Sequence, residues 1–264
     1  MWWFMQGLCF LPVFLVVWSS STFIVSYITA VFRRDVDVLF PYISDTAAYP
    51  PESCIFGLMT FVSACAGTAT IYARFKYVEK LSEETRVVSP CLNRTTLVLG
   101  MLSCLGMCIV ATFQETTVMV VHDMGALLFF ISGVLYIILQ CVVSYHAFPY
   151  GSSMSVCRAR LAVAVIASLA FFPISCIVSS RDAPSSHTFS VFLTRTNQAV
   201  ICAFFVKQTD QMDLHRNTGS KDYPFHVASA VCEWIVAFSF ICFFLTYIDD
   251  FKMFTLRVRT ELES

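Results

Sequence analysis

The chain has 264 residues, 57% of them hydrophobic and 13% charged, with a mean hydropathy of +0.71. That balance excludes a soluble globular domain and defines an integral membrane protein. A formal net charge of −1 leaves no basic field of the kind nucleic-acid binding requires, so nucleic acid is not an expected partner.

The first apolar run, about residues 8–32, exceeds the ~20 residues needed to cross a bilayer. It is too long for the core of a signal peptide and no positive charge precedes it, so it is expected to be retained as a helix. A polar island follows from Arg33 to Ser53 and holds Pro41-Tyr42-Ile43-Ser44-Asp45-Thr46 and Pro50-Pro51-Glu52. The second run, 54–72, carries Gly57, Ser63, Ala64, Ala66, Gly67 and Thr68, small residues that let helix backbones approach closely in lipid. From Arg74 to Arg94 the chain turns polar and basic and reads as a solvated loop.

A third run, 95–113, ends at the very short connection Gln114-Glu115-Thr116-Thr117, and the fourth occupies 118–145. The fifth, 161–179, contains Pro173, where a kink is expected. In the long loop from Arg181 to Tyr223, residues 198–206 are apolar but too few to span. A strand, an interfacial segment and a re-entrant patch fit them equally well. The sixth run, 224–248, ends at Asp249-Asp250 and a short basic tail. With no internal repeat, the expectation is a single all-α domain over residues 1–264, a polytopic bundle of six transmembrane helices.

Six spans place both termini on one side, together with Arg74, Lys76, Lys80, Arg86, Arg94, Arg158, Arg160, Lys252, Arg257 and Arg259. The opposite side collects Arg33, Arg34 and five basic residues of the last loop, so lysine and arginine bias puts both termini in the cytosol. Most of the twelve cysteines fall inside apolar runs, where they serve as small packing residues. Cys54 and Cys202 are candidates for pairing in an oxidising lumen, and Cys9, Cys91 and Cys157 lie at membrane edges where acylation occurs.

Polar residues inside membrane runs are costly and point to function or to a specific partner. Glu233 lies nine residues past Pro224, roughly 14 Å deep at 1.5 Å per residue. His226, Ser229, Ala230, Glu233 and Ala237 share one helical stripe. His122 and Asp123 open the fourth helix on the same side of the membrane, and the island with Asp45 and Glu52 covers them from outside. Two readings stand: a shared polar pocket made of Glu233, His226, His122, Asp123, Asp45 and Glu52, or a set of interhelical hydrogen bonds that fixes helix register. No HExxH or comparable spacing supports zinc, no cofactor motif is present, and no nucleophile elbow or Ser-His-Asp order marks a hydrolase. These residues thus mark no enzyme class.

The start Met1-Trp2-Trp3-Phe4 with Gln6-Gly7-Leu8, the island motif, Phe113-Gln114-Glu115, His122-Asp123-Met124-Gly125-Ala126, Cys232-Glu233-Trp234 and Phe244-Leu245-Thr246-Tyr247-Ile248 occur in order along the chain. Together they resemble the DRAM family of damage-regulated autophagy modulators over nearly everything except about Arg181 to Arg216. The resemblance implies a six-helix protein of lysosomal and related endomembranes that promotes autophagy, with membrane lipids and proteins of the autophagy pathway as partners. It also implies kinship with a superfamily that includes a Golgi factor of GPI-anchor lipid remodelling, which makes lipid modification or transfer in the luminal half-membrane pocket the alternative.

The one glycosylation sequon, Asn93-Arg94-Thr95, falls on the side assigned to the cytosol. Glycosidase treatment of the expressed protein is expected to leave its gel mobility unchanged, whereas a glycan on Asn93 overturns the orientation.

Overall fold

The computed structural model describes residues 7–39, 41–171, 223–252 and 254, without the side chains of 223–226. The described residues are helical apart from turns and connections: α1 (Phe10–Arg33), α2 (Glu52–Thr85), α3 (Pro90–Thr112), α4 (Met119–Ala147), α5 (Met154–Phe171), α6 (Tyr223–Leu245) and the short α7 (Tyr247–Phe251). Hydrocarbon offers the backbone no hydrogen-bond partners, and a helix satisfies all of them within itself. Six segments, with α6 and α7 counted as one, are long and apolar enough to cross a membrane, which makes this a multi-pass membrane protein. Pro173 and residues 198–206 lie outside the described residues, as does Cys202.

The first helix buries its small and hydroxylated residues and turns large apolar ones outward, whereas α4 and α6 also bury Phe130, Tyr136, Ile137, Phe240 and Phe243 in the core. On α1 the buried stripe is Leu15, Ser19, Thr22, Ser26 and Ala30, while Phe14, Val17, Ile24, Ile28 and Phe32 are exposed. This is the pattern of a helix packed against protein on one face and lipid on the other. Against α2, Ser19 and Ser63 pair through their hydroxyls at 3.0 Å and Trp18 Nε1 donates to the Met59 carbonyl at 2.9 Å. The third and fourth helices make the closest approach. A Cβ on Gly106 would lie 2.5 Å from the Phe129 amide nitrogen, so only glycine fits there.

Two expectations are corrected. The loop expected from Arg74 to Arg94 is largely helix: α2 runs to Thr85 and α3 starts at Pro90, which occupies a first-turn position. The 34 residues of α2 extend about 51 Å, well beyond a ~30 Å hydrocarbon core. Its solvated end is built of strong helix formers and laced by Lys76 to Glu79 at 2.7 Å and Lys80 to Glu83 and Glu84 at 3.6 Å. The second correction concerns Arg74, read from sequence as part of that solvated loop, and with it Arg160, read as one of the basic residues on the side of the termini. Both are fully buried.

These two arginines close on Asp250. Arg74 Nη1 lies 2.7 Å from Asp250 Oδ2, and Arg160 Nη2 binds the same oxygen. Ser152 donates to Asp250 Oδ1 at 2.9 Å, Arg160 Nη1 donates to Ser144 at 2.8 Å, and Arg74 Nε donates to Gln140 Oε1 at 3.3 Å. The Tyr247 ring sits between the guanidiniums, 5.1 Å from Arg74 and 5.0 Å from Arg160, and its hydroxyl is 2.9 Å from that of Tyr136. The cluster therefore joins α2, α4, α5 and α7 at the face that carries the start of α1 and the end of α7. There Leu8 N donates to the Phe251 carbonyl at 3.2 Å, and Gly7, at φ +57°, packs so tightly that a Cβ would fall 2.3 Å from the same oxygen.

Removing one partner of a buried ion pair costs about 3–5 kcal/mol, because the remaining charge is stranded. Asp250→Ala strands two and is expected to lower the melting temperature of the detergent-solubilised protein sharply. Asp249→Ala, at a side chain 62% exposed, is expected to leave it unchanged. Equal effects of the two substitutions would contradict the buried clamp.

Candidate functional site: a cavity beneath a buried island

The island between α1 and α2 is folded inward. Tyr42, Ile43, Asp45, Thr46, Ala47 and Ala48 are all buried, Thr46 completely. Half of this stretch is apolar, and its polar groups find partners locally, which is what makes burial affordable. A 3₁₀ turn at Asp45–Ala47 is closed by Ala47 N donating to the Ser44 carbonyl at 3.0 Å and Ala48 N to the Asp45 carbonyl at 3.2 Å. The Thr46 hydroxyl donates to the Ile43 carbonyl at 2.7 Å and lies 3.1 Å from Ser26 Oγ on α1.

Three further bonds tie the island to α6 and to the connection between α3 and α4. Glu233 Oε2, on α6, accepts the Ile43 amide at 3.1 Å. The adjacent Trp234 donates through Nε1 to the Pro41 carbonyl at 2.9 Å, and Thr116, between α3 and α4, donates to the Ala48 carbonyl at 2.8 Å. Trp234 is also wedged edge-on against Phe23 and Tyr27 of α1, with ring centroids 6.1 and 6.2 Å away. The Cys232-Glu233-Trp234 stretch thus grips the island with two successive side chains.

Beneath the island lies a cavity of about 170 Å³. It is bounded by α1, α2, α3, α4 and α6, since α6 packs chiefly on α5 and α1 and touches α4 only sparsely. Phe56, Ile71, Met107, Phe130, Phe240 and Phe244 are among its apolar walls. Ser44, Glu115, His122, Asp123, Ser229 and Glu233 bring polar groups to its island end. His122 Nδ1 lies 2.7 Å from the Phe113 carbonyl; a carbonyl only accepts, so Nδ1 carries the proton. Nε2 is then the imidazole's available acceptor while the ring is neutral.

Of the six residues singled out from the sequence, Glu233, His122 and Asp123 line this cavity together. Asp45 and Glu52 do not line it. Asp45 belongs to the turn of the island, and Glu52 starts α2, buried, with Oε1 2.6 Å from Arg33 Nε. They fix the cover rather than the chamber. The His226 side chain lies outside the described residues. Glu115, which is 3% exposed and lines the cavity, was missed because an acid in a four-residue connection reads as a solvated turn. Thr60 was also missed: its hydroxyl is buried among the lining residues with no hydrogen-bond partner. Only the face on which a threonine of α2 falls could have marked it.

Among the described residues no group of three His, Cys, Asp or Glu is arranged to hold a metal ion. Cys9 and Cys157, read as candidate acylation sites, are fully buried and directed at carbonyls, Cys9 Sγ at Ile248 O (3.2 Å) and Cys157 Sγ at Ser144 O (3.4 Å), while Cys91 is exposed. Asn93 is buried, with Nδ2 donating to the Phe75 carbonyl at 3.0 Å.

Six spans and an inward-folded first connection define a multi-pass, all-helical membrane protein. Residues 7–254 match the model of the Frag1/DRAM/Sfk1/Cwh43P N-terminal domain, and the chain belongs to that family. It is 42% identical to the DNA damage-regulated autophagy modulator protein 1 of Homo sapiens over 259 residues, 98% of this chain and 97% of that protein. It is 41% identical to the DNA damage-regulated autophagy modulator protein 2 of Rattus norvegicus, covering 99% of this chain and 90% of the relative. The modulator of macroautophagy TMEM150B of Danio rerio is more distant, 26% identical over 92% of this chain and 84% of its own length. No solved structure shows a significant match.

Proposed function

We propose that this chain modulates autophagy from the lysosomal membrane as a non-enzymatic regulator, acting through membrane lipids and proteins of the autophagy pathway. The names of its relatives support the autophagy role. The island faces the lumen and both termini the cytosol, an orientation supported by the basic residues on the exposed part of α2. The observation that carries the non-enzymatic reading is that the deepest carboxylate is engaged by backbone: Glu233 accepts the Ile43 amide and Trp234 next to it holds Pro41. A carboxylate so used fixes the shape of the luminal face, the surface that a partner in the lumen meets.

A second reading, lipid modification or transfer in the luminal half of the membrane, is favoured by the cavity with its apolar walls and polar end.

Glu233→Gln keeps an acceptor for Ile43 and removes the charge; Glu233→Leu removes both. On the regulatory reading, cells carrying the glutamine variant retain autophagic flux and those carrying the leucine variant lose most of it at equal protein level. Loss of flux with glutamine, at unchanged level and location, contradicts that reading and favours the second.

A further inference from the structure

The cavity beneath the island is long and narrow. Its lining runs from Phe56 to Ile71 on α2, from His122 to Ile137 on α4 and from Ser229 to Phe244 on α6, in each case about 22 Å at 1.5 Å per residue. Three helices thus give it the same length, which is most of a ~30 Å hydrocarbon core. At the deep end the Tyr136 and Phe244 rings stack with centroids 6.2 Å apart, and the Tyr136 hydroxyl meets that of Tyr247 in the arginine clamp. The upper end is the apolar cluster of the island itself, in which Ile43 and Phe56 pack with Phe23 and Val110.

Two features restrict what fills it. The first is width. A compact apolar cavity of roughly 150 Å³ holds one benzene. Here about 170 Å³ is drawn out along three parallel walls, so the cross-section is narrower than a six-membered ring lying across it. Such a slot admits a linear chain and no fused-ring skeleton.

The second feature is polarity. Most polar lining residues are already engaged by the protein itself. Ser19 pairs with Ser63, Thr22 donates to the Trp18 carbonyl and Ser103 donates to the Phe129 carbonyl. At the island end Glu233 accepts the Ile43 amide, His122 donates to the Phe113 carbonyl, and Glu115, Asp123 and Ser229 are engaged as well. Charge therefore selects no head group, and a file of waters, each needing two to four polar partners, is poorly served. A hydrocarbon chain needs no such partners and gives Met107, Phe130 and Phe240 the dispersion contacts that a gap denies them.

Resting on the second reading above, we propose that the cavity is a slot for one straight aliphatic chain of a membrane lipid, held by its hydrocarbon and not by its head group. The chain lies along the helices with its end against the Tyr136–Phe244 stack. It supports the island from below, since Ile43 and Phe56 belong both to the wall of the slot and to the cluster that seats the island.

The test uses the full-length protein in lipid nanodiscs and three alkyne-tagged photoreactive probes: a C16 fatty acid with its diazirine near the chain end, a phosphatidylcholine carrying the same chain, and a sterol. Crosslinked residues are mapped by mass spectrometry. Met107, Phe130 and Phe240 are expected to be labelled at least tenfold more by a straight-chain probe than by the sterol. Labelling by the fatty acid alone assigns the slot to a single-chain lipid, and labelling by phosphatidylcholine assigns it to a tail reaching in from the leaflet; the proposal holds in both cases. Ala126→Phe, which fills the slot, is expected to cut this labelling about tenfold, and Val17→Phe, on the outward face of α1, to leave it unchanged. If Ala126→Phe does not fold, the residue map of the native protein decides alone. Slot labelling by the sterol equal to that by the chains overturns the straight-chain assignment and leaves the second reading standing. Crosslinks confined to lipid-facing residues overturn both.

Discussion

One carboxylate fixes the arrangement of the helices. Asp250 takes up two guanidiniums that arrive from α2 and α5, and Tyr247, one turn away, fills the space between them. None of these groups is tolerable alone in a bilayer, and together with Ser144, Ser152 and Gln140 they form a network in which almost every donor and acceptor is used. Because the network spans four helices, it determines which helices are neighbours at the face carrying the termini. In a membrane no general hydrophobic force does this.

A bundle drawn together at one end and filled by small residues along α1–α2 and α3–α4 leaves space between α4 and α6 at the other. The island fills the top of that space instead of covering it as a solvated loop. Glu233 is the hinge of this arrangement, since it belongs both to the cavity wall and to the attachment of the island. Any molecule that competes for its carboxylate changes what holds Ile43. The same residue thereby connects the membrane interior with the island.

The spans were legible because the bilayer demands about twenty apolar residues in a row. Glu233 was legible because an acid ten residues into such a run has no default explanation. Arg74 and Arg160 were not, since basic residues at the ends of spans already have one, as signals of orientation, and only folding shows that Asp250 lies between them. The helical extension of α2 was written in the spacing of Lys76, Lys80, Glu83 and Glu84, but the number of charges suggested a loop first. The separation of Asp45 and Glu52 from the chamber illustrates a further limit. Position in sequence places a residue at one end of the bundle, and packing alone decides whether it faces the cavity or the cover.

Hydrogen–deuterium exchange at the island amides addresses the central claim most directly. If Glu233 holds the island closed over the cavity, Ile43 and its neighbours through Ala48 exchange slowly in the native protein, and Glu233→Leu accelerates Ile43 at least about tenfold, the equivalent of 1.4 kcal/mol, without changing α3. Exchange of the native island at the rate of an unstructured peptide, unaffected by the substitution, would contradict it.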